Sequence, residues 1–160
     1  MRVFLTKILG FLIIILFLQM PFFIMQYMSH LEGHLAELTL YREELLQLAK
    51  KNHLALPDYV AHFHTNPDRI FSSQGAFMQN YLERYESFKE AWIAFQGARP
   101  WGRPMVFLRY IDRKVFAETT ASFQFGLSLS LESLCYFAVG SLCSLFIYNI
   151  LRVRSKNGNV

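Results

Sequence analysis

Residues 8–28, ILGFLIIILFLQMPFFIMQYM, run without a charged side chain, and no other feature restricts the fold of this 160-residue chain as much. At 1.5 Å rise per residue, a helix of that length covers the roughly 30 Å hydrocarbon core of a bilayer. The run is therefore an anchor or a cleaved leader. Arg2 and Lys7 resemble the n-region of a signal peptide and GFLIIILFL its h-region, yet QMPFFIMQYM follows with no A-x-A-like site. The run is also too long for an h-region alone, which favours an uncleaved span with Lys7 at its inner end and Tyr27 at its outer end. Pro21 removes one backbone hydrogen bond and is expected to bend the outer half. Gln19 and Gln26, the polar interruptions, are expected to hydrogen-bond to a neighbouring helix.

A second apolar stretch, residues 127–151, is long enough to return across a membrane. It carries five serines and Glu132, about one turn inside its outer end, where the acid can snorkel or accept a hydrogen bond from Gln26. An acid in a span is expensive, so Glu132 is a candidate for proton or ion handling as well as for a folding role. Gly140 and Ser144 have the small-x-x-x-small spacing that lets a partner helix approach closely. Cys135 and Cys143 lie eight positions apart on this stretch, about 12 Å along a helix axis, too far to bridge.

The formal charge of +4 is unevenly spread. Arg2, Lys7, Arg152, Arg154 and Lys156 sit in the tails 1–7 and 152–160, whereas residues 29–126 carry eleven basic and eleven acidic side chains. Cationic tails place both termini in the cytoplasm by the positive-inside rule, with residues 29–126 outside, in the periplasm for a bacterial inner-membrane protein. A polar domain of zero net charge gives no basic face for a nucleic-acid partner.

Within that domain Leu31, Leu35, Leu38, Leu45 and Leu48 follow steps of three and four, an amphipathic helix ending near Asn52. LALPDY opens a short connecting helix, and Asn66 with Pro67 forms an expected N-cap and N1 pair. The helix that follows carries the stripe Phe71, Gln74, Met78, Tyr81, Tyr85, Phe88, Trp92 and Phe95. Leucines on one helix and aromatics on the other predict an antiparallel hairpin. Packing is a commoner use of such a stripe than holding a flat cofactor, and none is expected. The returning chain, residues 99–114, ends near the lipid. Arg99, Trp101, Arg103, Arg109, Arg113 and Lys114 make it a candidate membrane-surface segment, the alternative being a helix that closes the hairpin base.

His30, His34 and Glu37 share one helix face at i, i+4 and i+7 and could hold a divalent metal with one open position. The motif reads HLEGH and not H-E-x-x-H, so the general base of a zinc protease is absent from its place, and solvated histidines are the simpler reading. No Gly-rich phosphate loop, nucleophile elbow or CxxC pair occurs in the sequence.

QMPFFIMQYMSHLEGHLAEL, PWGRPMVFLRYID and SFQFGLSLSLESLCYFAVG together resemble one bacterial family, catalogued as domain of unknown function 2937. The resemblance implies a two-span inner-membrane protein with an outward helical domain and brings no activity with it. Gly33, His34 and Glu37 fit the family's Gly-Gly-His-like junction while Glu32 departs from it, and Glu132 fits an acid at the start of the last span that Ser133 follows in place of Gly. The expected architecture is an all-α membrane protein, two transmembrane helices flanking an extracytoplasmic antiparallel helical hairpin. Its expected role is non-catalytic: an accessory subunit or assembly factor that meets the bilayer and another integral membrane protein or a second copy of itself. Two rivals are a metal- or proton-handling protein built on His30, His34, Glu37 and Glu132, and an extracytoplasmic sensor. After Leu151 only RVRSKNGNV follows, so a sensor would have to signal laterally.

Overall fold

The computed structural model describes the backbone of residues 2–126 and 131–157 and the side chains of residues 8–126 and 134–147. Every regular element among them is helical: α1 (Arg2–Lys51), α2 (Leu56–His64), α3 (Arg69–Gly97), a 3₁₀ turn (Pro100–Gly102), α4 (Arg103–Arg109), α5 (Arg113–Ala121) and α6 (Leu131–Asn157). Two compact units divide the chain. One comprises Met1–Tyr27, Arg99–Pro104 and Asp112–Val160, and the other Met28–Ala98 and Met105–Ile111.

α1 is a single helix of 50 residues that continues through Pro21. Its segment Ile8–Lys51 contains an 18-residue window of mean hydropathy 2.6, only 6% of it buried within the chain. Among the described residues it is the one helix long and apolar enough to cross a membrane. In α6 the described apolar stretch is shorter, Leu134–Ile147. Residues 127–130 of the expected second span lie outside the described residues, as does the side chain of Glu132.

The Met28–Ala98 unit is built on the second half of α1. Its buried residues are Leu31, Leu38, Leu45 and Ala49, with Tyr41 and His34 half-buried between them. Leu48, expected in the seam, is 42% exposed. A straight helix drifts by about 20° per heptad against a seven-residue repeat, and by the third heptad that drift brings position 49 inward in place of 48. From His34 to Tyr41 to Leu45 along α1, the partner on α3 moves from Phe88 to Tyr81 to Met78, which makes the pair antiparallel. α2 closes the far end, where Val60 joins Leu45 and Met78 in one buried cluster. Each fully buried leucine in such a seam stabilises by roughly 1.5–3 kcal/mol relative to exposure.

Two local expectations are corrected here. Asp68, not Asn66, caps α3: its Oδ1 accepts from the Ile70 N–H at 2.8 Å, and Asn66 Oδ1 accepts from the Asp68 N–H at 2.9 Å in a turn that precedes the helix. Phe71, expected in the aromatic seam, is 48% exposed. The antiparallel register carries it opposite the end of α1 at Lys51, where the partner helix runs out, and its nearest ring is Phe63 at 6.2 Å.

In the Met1–Tyr27 unit, α6 lies against the first half of α1. A Cβ built on Gly140 would stand 2.9 Å from Phe17 Cβ and 3.4 Å from Ile14 Cα, and one built on Gly10 would stand 2.5 Å from Ser144 Oγ. From 140 to 144 on α6 the partner on α1 falls from 14–17 to 10, again antiparallel. The helix that approaches the small-residue face of Gly140 and Ser144 is thus α1 of the same chain.

Candidate functional site

Gln19 and Gln26 stand seven residues apart, two turns along one face of α1. Each side-chain amide grips the same stretch of non-helical backbone. Gln19 Nε2 donates to the Gly126 carbonyl at 3.1 Å while its Oε1 accepts from the Gly126 N–H at 3.3 Å. Gln26 repeats the pattern on residue 124, with Nε2 to the carbonyl at 2.9 Å and Oε1 from the N–H at 3.3 Å. Both glutamines therefore act as a strand would, satisfying a donor and an acceptor at once. Irregular backbone in an apolar setting is tolerated only where such partners exist, since an unpaired buried peptide group costs about 1–3 kcal/mol.

The expected partners of these glutamines were a neighbouring helix and Glu132. In place of the helix the partner is the non-helical segment 124–126, with the Gln26 amide on residue 124, and the side chain of Glu132 lies outside the described residues. Nothing in the spacing of Gln19 and Gln26 distinguishes a helix from a strand-like segment as the group they serve. The seven-residue repeat did mark them as sharing a face.

Between the glutamines Phe23 packs on Phe116 of α5 and on Phe123, with ring centroids at 5.7 and 5.4 Å. The Tyr27 hydroxyl, on a fully buried side chain, accepts the Asp112 N–H at 2.9 Å. Asp112 caps α5 through its Oδ1, which accepts from the N–H groups of Lys114 and Val115. Sequence reading passed over this capping residue, although an Asp one position ahead of a helix is its usual signal. Leu16, Phe17, Gln19, Met20, Phe23 and Phe123 line an apolar groove of about 390 Å³.

The remaining candidates are distributed along several elements. His34 is half-buried in the seam, with its ring edge on Phe88 and Nδ1 3.8 Å from Glu37 Oε2. His30 is also half-buried, and among the described residues no three His, Cys, Asp or Glu side chains gather in a way that could hold a metal ion. In the segment 99–114, Trp101 is 69% exposed with the Arg99 guanidinium 5.7 Å from its ring. Arg103 opens α4 and Arg109 closes it. On α4 itself, Met105 and Leu108 are exposed on one side and Phe107 is buried. Arg113 and Lys114 open α5, both exposed.

Among the described residues these features are those of an all-helical chain with one helix of membrane-crossing length and composition. The chain belongs to the family described as "Protein of unknown function (DUF2937)", whose model matches residues 1–154. No curated protein and no solved structure matches it.

Proposed function

We propose that this is a small, non-catalytic bacterial inner-membrane protein, an accessory subunit or assembly factor of a larger membrane complex. In this reading α1 crosses the bilayer outward, α6 crosses back, both tails are cytoplasmic, and the α1–α3 hairpin is offered to a partner in the periplasm. The observation that carries the reading is an apolar patch at the start of α3. Ile70 is 78% exposed and Phe77 46% exposed, seven residues apart on one face, and with Arg69, Ser73 and Gln74 they surround a shallow depression of about 550 Å³. Exposed apolar surface of this kind on a water-facing element marks a protein contact more often than it marks chance. The same stretch of α3 packs on α2 at Gly75 and, through Phe77, on Tyr41 of α1, while Ile70 and much of Phe77 stay uncovered.

The test is a mild-detergent pull-down from the native membrane with a small C-terminal tag, run in parallel with an Ile70→Glu, Phe77→Glu variant. The reading predicts a stoichiometric membrane partner with wild type that is lost with the variant while helix content is unchanged. A lone monomer or homodimer, or capture indifferent to the two substitutions, contradicts it.

A further inference from the structure

The groove on α1 has an apolar floor and a cationic neighbour. Its one polar lining residue, Gln19, spends its amide on Gly126, so the walls offer an occupant apolar surface from Leu16, Phe17, Met20, Phe23 and Phe123. The bond from the Asp112 N–H to the Tyr27 hydroxyl fixes the start of α5 beside α1, one turn beyond Phe23. Arg113 and Lys114 follow immediately. Arg113 is exposed, with no ion pair among the described residues, and Lys114 is 59% exposed with only a 3.9 Å contact to Glu118. Phe116, one turn further along α5, returns to Phe23 at the head of the groove. A cationic rim and an apolar furrow thus follow one another along α1 from Tyr27 to Leu16, a distance of about 16 Å.

We propose that this unit binds one anionic phospholipid, its phosphate held by Arg113 and Lys114 and part of an acyl chain laid along α1 beneath Phe123. The order of the two chemistries matches the order of the lipid. Tyr27 sits where the outer end of the span meets the headgroups, and Phe23, Met20 and Leu16 descend from there into hydrocarbon. The proposal rests on the reading of α1 as a span.

Full-length protein in mild detergent, mixed with equal amounts of dioleoyl phosphatidylglycerol and dioleoyl phosphatidylcholine, is examined by native mass spectrometry. Wild type should retain one phosphatidylglycerol in preference to phosphatidylcholine by at least about fivefold, the effect expected of one or two basic residues near a lipid surface. Arg113→Gln with Lys114→Gln should abolish the preference, and Met20→Trp, which fills the furrow, should lower retention of the lipid without changing helix content. Equal retention of the two lipids by wild type, or undiminished preference in the double variant, overturns the proposal. Alkaline extraction of native membranes separates the two claims. A chain stripped from the membrane refutes the span and the lipid site together, whereas a chain that resists extraction but shows no lipid preference refutes the site alone.

Discussion

Tyr41 and His34 occupy corresponding positions seven residues apart on α1, and each is turned inward to meet an aromatic ring of α3. His34 lies edge-on to Phe88, and Tyr41 stands 4.7 Å from Tyr81 and 6.3 Å from Phe77. Burial, reinforced by Tyr81 and Glu44, holds the Tyr41 phenol above its ordinary value near 10. The folded state therefore prefers the neutral phenol. The resulting stability is complete below pH 10, where both states keep the proton, and it is lost as pH rises through the higher folded value because the unfolded chain ionises first. Alkaline denaturation followed by circular dichroism should show a midpoint that moves to higher pH in Tyr41→Phe, and an unmoved midpoint would contradict this account of the seam. His30, His34 and Glu37 share a face in the sequence, but spacing alone could not show that His34 would be drawn into packing on Phe88, because its partner lies 54 positions away.

At the scale of elements, close approach decides what each helix pair tolerates. A Cβ on Gly75 would collide with the His64 backbone nitrogen and lie 2.6 Å from its Cα, so α2 and α3 touch backbone to backbone there. Gly33 has nothing within 4 Å of its would-be Cβ. Gly75→Ala should destabilise by roughly 1–3 kcal/mol through overpacking, and Gly33→Ala should stabilise by up to about 1 kcal/mol through helix propensity. Thermal melts of the two variants in detergent check this, and the opposite ranking would contradict the α2–α3 crossing. The glutamine clamp makes a second prediction at this scale. Replacing Gln19 with Leu strips the Gly126 peptide of two partners and should cost about 1–3 kcal/mol in the same assay, while an unchanged melt would show that the segment 124–126 does not need the clamp. Much of α1 and α3 was legible in the sequence, because apolar side chains at steps of three and four leave little choice of element. The cap of α3 was misjudged by two residues, since Asn66 and Asp68 are equally good capping chemistry and only the turn between them decides. Gly75 gave no signal of its own. A lone glycine in a helix is ambiguous until the crossing chain is known.

For the whole molecule, α1 draws its membrane reading from length, hydropathy and the near absence of burial along its apolar window. α6 draws its reading from the antiparallel contact with α1 at Gly140 and Ser144 and from the basic residues Arg152, Arg154 and Lys156 that follow. Together they make the proposed two-span topology the central claim, on which both the partner patch and the lipid site depend. Cysteine labelling tests it most directly. In a background with Cys135 and Cys143 changed to Ser, a single cysteine is placed at Gln79 or at Ser155. Cells with a permeabilised outer membrane are then treated with a membrane-impermeant maleimide. The account predicts labelling at position 79 in intact spheroplasts and labelling at position 155 only after the inner membrane is broken. Labelling of both positions before lysis, or of 155 alone, would contradict it.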